Sequence, residues 1–157
     1  MNRTPLTDWY WQDFTRRSGV CGCDYVPIRF GNSKKMSDEL LALVLIGQKR
    51  ATASLLRDYP PGGDPLPREG DHVVICDGDD VPRAIYRSTD ISVKRLDQAD
   101  AGFAWDEGEG DRTLPDWYDG HARYFRRQAA EEGFAFDPSI PTVFERFTLI
   151  WPPEHAD

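Results

Sequence analysis

Hydrophobic residues recur at helical spacing most clearly between Ser33 and Gly47. The apolar residues of this segment fall on one side of a helix with about 3.6 residues per turn: Met36, Leu40, Leu41, Val44 and Leu45. Ser33 is a typical N-cap residue, and Gly47 stands where helices commonly end in a left-handed residue. The pattern therefore predicts a helix that begins after Ser33 and stops just before Gly47.

Alternation between apolar and polar residues predicts a strand directly after this helix. From Ala51 to Leu56 the alanines share one face with Leu55, while Thr52 and Ser54 share the other. If the alanine face fills the interior of a barrel, the hydroxyl face looks outward, towards whatever covers the barrel. Further strands are predicted at Val26–Phe30, His72–Cys76, Arg83–Ser88, Ile91–Leu96 and Thr142–Ile150.

Three more helices are predicted from capping residues. Thr4 and Pro5 open the first, which ends by Gly19, and Thr113 and Pro115 open a long one that ends at Gly133. A short helix is expected from Asp97 to near Gly102. Strands with helices inserted between them indicate an α+β fold, a small mixed β-barrel with helices on its flank.

Charge and composition narrow the class of ligand. The 157 residues carry a net charge of −8, which argues against holding a long nucleic acid by phosphate neutralisation. An uncharged or short ligand fits this balance better. The chain has no apolar run of 18 residues and no hydrophobic signal segment, so we expect a cytoplasmic protein without a membrane partner.

Cysteine and histidine spacing does not favour a metal site. Cys21 and Cys23 form a Cys-x-Cys pair with no second pair or nearby histidine, and we expect reduced thiols there and at Cys76. His72 and His155 are isolated, and His121 lies where a packing histidine is expected in the long helix. No phosphate loop or dinucleotide motif occurs, so no cofactor is expected.

Candidate chemistry concentrates where the second helix gives way to the strand. Lys49 and Thr52 lie three residues apart, so on one flat strand they would point to opposite faces. They can converge only if Lys49 stays in the turn and the strand begins after it. Without such convergence, Thr52 is an ordinary strand residue and Lys49 is a solvated loop residue.

An acidic segment could supply carboxylates to the same place. Glu107-Gly108-Glu109-Gly110-Asp111 reads most simply as a solvated loop ahead of the long helix, with Asp111 near the positive end of the helix dipole. The alternative is that Gly108 and Gly110 allow the backbone and Glu109 to approach a ligand closely.

Several segments together resemble the ASCH domain family, a branch of the PUA-like superfold. The resemblance runs from about Phe30 to Ile150, in order and at family spacing. It rests on these pieces: Phe30-Gly31-Asn32-Ser33, Asp38-Glu39-Leu40, Leu43 to Ser54, Pro67-Arg68-Glu69-Gly70-Asp71, Glu107-Gly108-Glu109-Gly110-Asp111 with Trp117 and His121 behind it, and Glu145-Arg146-Phe147. The Gly-x-Lys-x-x-Thr core of the family is matched by Gly47, Lys49 and Thr52.

The resemblance implies an ASCH domain over residues 25–157, preceded by an N-terminal helical extension over residues 1–24. It implies RNA-related work, with a modified nucleoside or single-stranded RNA as partner. Some short members remove the acyl group from N4-acetylcytidine, and their lysine, threonine and glutamate correspond to Lys49, Thr52 and Glu109. Some longer members are described as cleaving single-stranded RNA, and others have no assigned activity. The residues expected around the substrate are Phe30, Gly31, Arg50, Ser54, Glu107, Asp111 and Tyr118.

These roles impose an electrostatic condition on the site. For Thr52 to attack an acyl carbon with Lys49 as its base, the pKa of Lys49 would have to fall about three units from about 10.4. An ionised Glu109 beside Lys49 would push that pKa the other way. Either Glu109 contacts the substrate amine, or Glu109 is the base and Lys49 stabilises the oxyanion. Ribonuclease activity and RNA binding without catalysis remain alternatives.

Overall fold

A computed structural model describes residues 1–20 and 22–157. The prediction about the Cys21–Cys23 pair rests on Cys21, which lies outside the described residues. The helices within the described part are α1 (Pro5–Ser18), α2 (Lys34–Leu45), α3 (Ala101–Glu107) and α4 (Leu114–Glu132). The strands are β1 (Tyr25–Arg29), β2 (Ala51–Leu55), β3 (His72–Cys76), β4 (Pro82–Arg95) and β5 (Pro141–Trp151). This composition confirms the predicted α+β class.

The five strands of the described chain form one curled, half-barrel sheet in the order β1-β3-β4-β5-β2. β1 runs parallel to β3, and every other pair is antiparallel. The pairing of β4 with β5 shifts register between Ile85 and Tyr86 and again between Ser88 and Asp90. Such bulges bend a strand and increase its twist, so they help these two long strands curl.

Three apolar clusters attach the helices to the sheet. α2 covers a cluster around Val44, Tyr86 and Phe147, while Trp11 and Phe14 of α1 belong to a second cluster. The strand residues of that second cluster are Tyr25, Val74, Cys76, Ile85 and Trp151. α1 therefore packs into the core of the sheet, and the division at residue 24 stays a prediction.

The third cluster corrects the predicted orientation of β2. Ala51 and Leu55 pack with Phe103 of α3 and with Trp117 and Phe125 of α4. The alanine face of β2 is therefore turned towards these helices and not into a barrel interior. Thr52 pairs with Glu145 on the opposite face of the ladder.

Local capping explains where most elements begin. The Ser33 hydroxyl accepts the Met36 N–H at 3.3 Å, as predicted for α2. The short helix predicted from Asp97 to near Gly102 is wrong. The carboxylate of Asp100 accepts the Phe103 N–H at 2.8 Å, which places the start of α3 at Ala101. In the described residues, no helix is both long and apolar enough to cross a membrane.

Candidate functional site

A sharp reversal between α2 and β2 positions Lys49. Gly47 has a φ of 84°, a left-handed conformation that glycine adopts without steric cost. The Lys49 N–H donates to the Leu43 carbonyl at 3.0 Å, and β2 begins only at Ala51. Lys49 therefore lies in the turn, which meets the condition that the sequence set for its convergence with Thr52.

The ammonium group of Lys49 is buried between two carboxylates. Its Nζ donates to Glu107 Oε1 at 3.2 Å and to Glu109 Oε1 at 2.6 Å. The side chains of Lys49 and Glu107 are 1% and 2% exposed, whereas that of Glu109 is 33% exposed. Glu107 thus anchors the lysine from below, and Glu109 reaches it from the solvent side.

Glu107 is saturated with hydrogen bonds from cationic and polar groups. Besides Lys49, the indole N–H of Trp117 donates to its Oε2, and Nε2 of His121 lies 3.3 Å from its Oε1. Burial alone would raise the pKa of Glu107, but these neighbours outweigh it and lower the pKa to about 2. Glu107 is therefore an anion at neutral pH, although almost no solvent reaches it.

His121 both packs against Trp117 and forms an ion pair with Glu107. Its ring stacks on Trp117 with centroids 4.1 Å apart, and Nδ1 lies 2.9 Å from the Trp117 carbonyl oxygen. Both ring nitrogens face acceptors, which favours the doubly protonated imidazolium. Burial by itself lowers the pKa of His121, but Glu107 raises it above the ordinary value. The packing role expected from the sequence is thus joined by an ion pair.

The charge of Lys49 follows from the same contacts. Burial by itself lowers the pKa of Lys49, but Glu107 and Glu109 outweigh this effect and raise it above the ordinary value. A protonated lysine cannot take a proton from Thr52. The role of Lys49 as general base, which the resemblance implies, therefore does not fit this arrangement, and the alternative with Lys49 as a cationic donor does.

Only part of the acidic segment is the solvated loop that its composition suggested: Gly110 and Asp111 are exposed, whereas Glu107 and Gly108 are buried. Glu107 is the last residue of α3, and Gly108 ends the helix in a left-handed conformation with φ of 73°. The Gln48 amide donates to the Gly108 carbonyl at 2.6 Å, and a Cβ on Gly108 would overlap the Gln48 carbonyl oxygen. The close approach that this glycine permits is therefore to the turn before Lys49.

A cavity of about 400 Å³ opens above these charges. The predicted catalytic residues Lys49, Thr52 and Glu109 all line it, and so does Glu107, which was predicted to bind substrate. Phe30 and Gly31 form part of the same wall, and their role in substrate binding stays a prediction. Among the described residues, none makes a hydrogen bond to the Thr52 hydroxyl, so this group is available to a ligand.

A second cavity, of about 480 Å³, shares Thr52 and six other lining residues with the first. Phe30, Gly31 and Thr52 line both cavities, whereas Ser54, Tyr59 and Glu145 line only the second. The Ser54 hydroxyl shares a hydrogen bond with the Tyr59 hydroxyl at 2.8 Å. Thr52 therefore lies at the junction of two chambers.

Glu145 is the buried carboxyl of the second cavity. It is 5% exposed, and it accepts a hydrogen bond from Ser88 Oγ at 2.6 Å. Burial raises the pKa of Glu145, and the hydrogen bonds from Ser88 and Tyr86 only partly offset that effect. Unlike Glu107, this carboxyl has no cation beside it among the contacts that the structure describes.

In the described part of the chain, three predicted substrate-binding residues line neither of the two cavities. Arg50 turns away, since its Nε lies 2.8 Å from a carboxylate oxygen of Asp157. Asp111 accepts the Thr113 N–H at 2.8 Å at the start of α4, and Tyr118 packs against the cluster beneath α3 and α4. Local hydrogen bonds and packing occupy these side chains, and their roles in substrate binding stay predictions.

Sequence reasoning gave no functional role to His121, Trp117 or Glu145. The spacing of Trp117 and His121, four residues apart on a helix, placed them on one face. Their joint contact with Glu107 depends on how α3 meets α4. Glu145 stood in a recognised motif, but only the β2–β5 register puts it opposite Thr52.

Comparison with known proteins agrees with this architecture. A family model described as the ASCH domain matches residues 26–151. The chain belongs to the ASCH domain family. The predicted membership and the PUA-like fold are thereby confirmed, and the extra helix α1 of this ASCH domain precedes the matched residues.

Two crystal structures are similar over nearly the whole chain. One is of protein EF3133 from Enterococcus faecalis, which is 31% identical with a TM-score of 0.83; the match covers 91% of this chain and 86% of that one. The other is an ASCH domain from Lactobacillus crispatus, 26% identical with a TM-score of 0.84, covering 95% and 96% of the two chains. No curated protein matches the chain.

Proposed function

We propose that this ASCH domain hydrolyses the amide bond of an acylated cytidine-type nucleoside. The observation that carries the proposal is the buried ammonium of Lys49, held by Glu107 and Glu109 in the cavity that Thr52 also lines. A fixed cation and an available hydroxyl in one cavity supply what acyl transfer requires: a nucleophile and a group that stabilises an oxyanion.

The first cavity suits a small, largely uncharged ligand. Its volume of about 400 Å³ falls within the range of about 300–1,000 Å³ that is usual for small-molecule sites. Phe30 and Tyr124 line it and offer aromatic surface to a base. The protein is acidic overall, with a net charge of −8, which disfavours a polyanion more than a nucleoside.

Lys49 is the group that would bind the acyl oxygen. An ammonium has three N–H donors, and the described residues use two of them, on Glu107 and Glu109. The third donor is left for a ligand oxygen. Because Lys49 is nearly inaccessible to water and its position is fixed by two ion pairs, it needs little reorganisation as negative charge develops on that oxygen.

Thr52 would act as the nucleophile and Glu109 as the proton carrier. Thr52 Oγ bonds to the acyl carbon, its proton passes to the Glu109 carboxylate, and the amide oxygen becomes an oxyanion facing Lys49. When the C–N bond breaks, Glu109 returns the proton to the exocyclic amine. The nucleoside leaves, and water then cleaves the acyl ester on Thr52 to release a carboxylic acid.

Cleavage of single-stranded RNA is a weaker alternative for this chain. A strand that entered the first cavity would continue into the second, where the charged lining groups are mostly acidic. The acidic residues are Asp58, Asp64, Asp71, Glu131, Glu132 and Glu145, against Arg29, Arg127 and the terminal ammonium of Met1. RNA binding rests largely on neutralising phosphates with cations. The acidic second cavity therefore supports an uncharged substrate over a phosphodiester strand.

The test is hydrolysis of N4-acetylcytidine, followed by chromatographic detection of cytidine. We expect wild type to hydrolyse N4-acetylcytidine, Thr52→Ser to retain measurable activity, and Thr52→Ala to lose activity. Lys49→Ala and Glu109→Ala should each lower kcat by about 10²-fold or more. The matched control is Glu39→Gln, which changes an exposed carboxylate that pairs with Lys35 on α2.

Parallel incubation with labelled single-stranded RNA separates the alternatives. Salt-sensitive strand scission without release of acetate would replace the amidohydrolase with a ribonuclease. If neither substrate reacts and Thr52→Ala leaves nucleoside affinity unchanged, the domain is a binding module. Thermal melting of each variant distinguishes loss of chemistry from loss of the fold.

A further inference from the structure

Glu145 has no part in the steps above, although it lies directly opposite Thr52 in the antiparallel ladder of β2 and β5. Opposite residues in such a ladder point to the same face, with Cβ atoms about 5 Å apart. Both side chains line the second cavity. A glutamate that is only 5% exposed, in the wall of a cavity and directly opposite a candidate nucleophile in the ladder, calls for a chemical explanation.

The two cavities are lined by different carboxyl groups, although Tyr124 and Arg127 line both. Lys49 and Glu109 line only the first cavity, whereas Glu145 lines only the second, and Thr52 lines both. A substrate in the first cavity would present its acyl carbon to the Thr52 hydroxyl from the side of Lys49. The second cavity leaves the side of Glu145 open to a small molecule such as water.

We propose that Glu145 is the general base that activates the water which deacylates Thr52. This inference rests on the proposed amide hydrolysis. It assigns the acylation step to the first cavity and the deacylation step to the second. Acylation uses Lys49 and Glu109, and deacylation uses Glu145. The ligand of the second cavity is then the hydrolytic water, delivered next to the ester.

Deacylation consumes one water molecule and regenerates both side chains. A water molecule gives one proton to the Glu145 carboxylate while its oxygen bonds to the acyl carbon. The tetrahedral intermediate collapses by breaking the bond between that carbon and Thr52 Oγ. The proton held by Glu145 then passes to Thr52 Oγ, which restores the hydroxyl and the carboxylate and releases the carboxylic acid.

The surroundings of Glu145 suit this role better than those of Glu107. Glu107 is saturated by Lys49, His121 and Trp117, and an anion so stabilised is a poor base. Glu145 is held by the Ser88 hydroxyl at 2.6 Å. Burial raises its pKa, and a base whose pKa is nearer to the working pH is more effective.

The decisive variant is Glu145→Gln, which keeps the shape of the side chain and its ability to accept from Ser88. The probe is p-nitrophenyl acetate, whose activated ester reports acylation of Thr52 by release of the coloured phenolate. We expect wild type and Glu39→Gln to turn over steadily. Glu145→Gln should show a burst of one equivalent, then a steady rate lower by about 10²-fold or more.

Mass spectrometry of the quenched Glu145→Gln protein should locate an acetyl group on Thr52. Thr52→Ala and the double variant Thr52→Ala with Glu145→Gln should show neither burst nor acetyl group. Far-ultraviolet circular dichroism and thermal melting check that Glu145→Gln is folded, which the neutral, isosteric amide favours.

The outcomes separate this inference from the proposed function. If wild type hydrolyses N4-acetylcytidine but Glu145→Gln accumulates no acetyl group on Thr52, the inference is overturned and the function stands. If the ester traps acetyl on Thr52 but N4-acetylcytidine is untouched, the base assignment holds and the proposed substrate is wrong. Absence of acetyl-Thr52 with both compounds in every variant overturns the inference.

Discussion

The Nζ of Lys49 lies 3.2 Å from the Oε1 of Glu107, and neither side chain is more than 2% exposed. Removing two charges from water is costly, and the cost is recovered only when the pair is well placed and fully hydrogen-bonded. Here His121 and Trp117 satisfy the remaining positions of the Glu107 carboxylate. The pair therefore fixes a cation at the floor of the cavity.

Replacing Glu107 with glutamine should destabilise the protein strongly. The substitution removes the charge that faces both Lys49 and His121, and breaking a buried ion pair costs about 3–5 kcal/mol. We expect the lower part of that range, since Glu109 still pairs with Lys49. Urea denaturation gives the free energy of unfolding. Glu39→Gln, on an exposed pair, should change it by no more than about 1 kcal/mol, and a comparably small effect at Glu107 would contradict the account.

The contribution of Glu107 to the free energy of unfolding should depend on pH in the acid range. Its folded-state pKa of about 2 lies below the value of about 4.3 in an unfolded chain. A depressed pKa stabilises the fold above the unfolded value, and that stabilisation is lost as the pH falls through the folded value. The difference in unfolding free energy between wild type and Glu107→Gln should therefore shrink as the pH falls from about 5 towards 2. A constant difference over the whole range would refute this assignment.

Two buried histidines should titrate on opposite sides of the ordinary value of about 6.5. The pKa of His121 is raised because Glu107 outweighs burial, whereas burial and Arg87 lower the pKa of His72. Nuclear magnetic resonance titration of the ring protons measures both. The stabilisation from His121 is complete below about 6.5 and is lost as the pH rises through its folded value.

Glu107→Gln supplies the control for this titration. Without the carboxylate, burial dominates and the pKa of His121 should fall below that in wild type, while that of His72 should not move. Equal pKa values for His121 in wild type and Glu107→Gln would show that the 3.3 Å contact carries no charge coupling.

Much of the fold was predictable because its signals are local. The N-cap Ser33, the apolar stripe of α2 and the glycine at position 47 lie within one stretch of chain, and they located the turn that holds Lys49. Caps also located the long helix α4, whose Thr113 accepts the Asp116 N–H. Local geometry of this kind is determined by residues that are neighbours in the sequence.

The chemistry of the site was less predictable because it depends on contacts between distant residues. Lys49 and Glu107 are 58 positions apart, and nothing in either segment shows that α3 ends against the turn. The short helix was misplaced by a few residues because Asp97 and Asp100 both resemble caps. That error hid the role of Glu107. If the helix ended near Gly102, Glu107 would lie in a loop, but the helix ends at Glu107 and buries its side chain.

Arg50→Ala should leave kcat/KM for the nucleoside amide unchanged while lowering stability. Its guanidinium binds Asp157 and the Val44 carbonyl and does not line the cavity. We expect a loss of about 1–2 kcal/mol, from hydrogen bonds that involve charged groups on a partly exposed pair. Steady-state kinetics with urea denaturation checks both parts. A rise in KM without loss of stability would restore Arg50 to substrate binding.

Gly108→Ala should damage the site far more than Gly133→Ala, although the two glycines are alike in conformation. Each ends a helix, with φ of 73° and 75°, so the left-handed conformation costs an alanine about 1–2 kcal/mol at either position. A Cβ at Gly133 meets nothing within 4 Å, whereas one at Gly108 overlaps the Gln48 carbonyl oxygen. Because Gln48 adjoins Lys49, the overlap should displace the ammonium from Glu107. Melting temperatures and amide hydrolysis of the two variants measure the difference. If both lose the same stability and both keep activity, the turn does not depend on the end of α3.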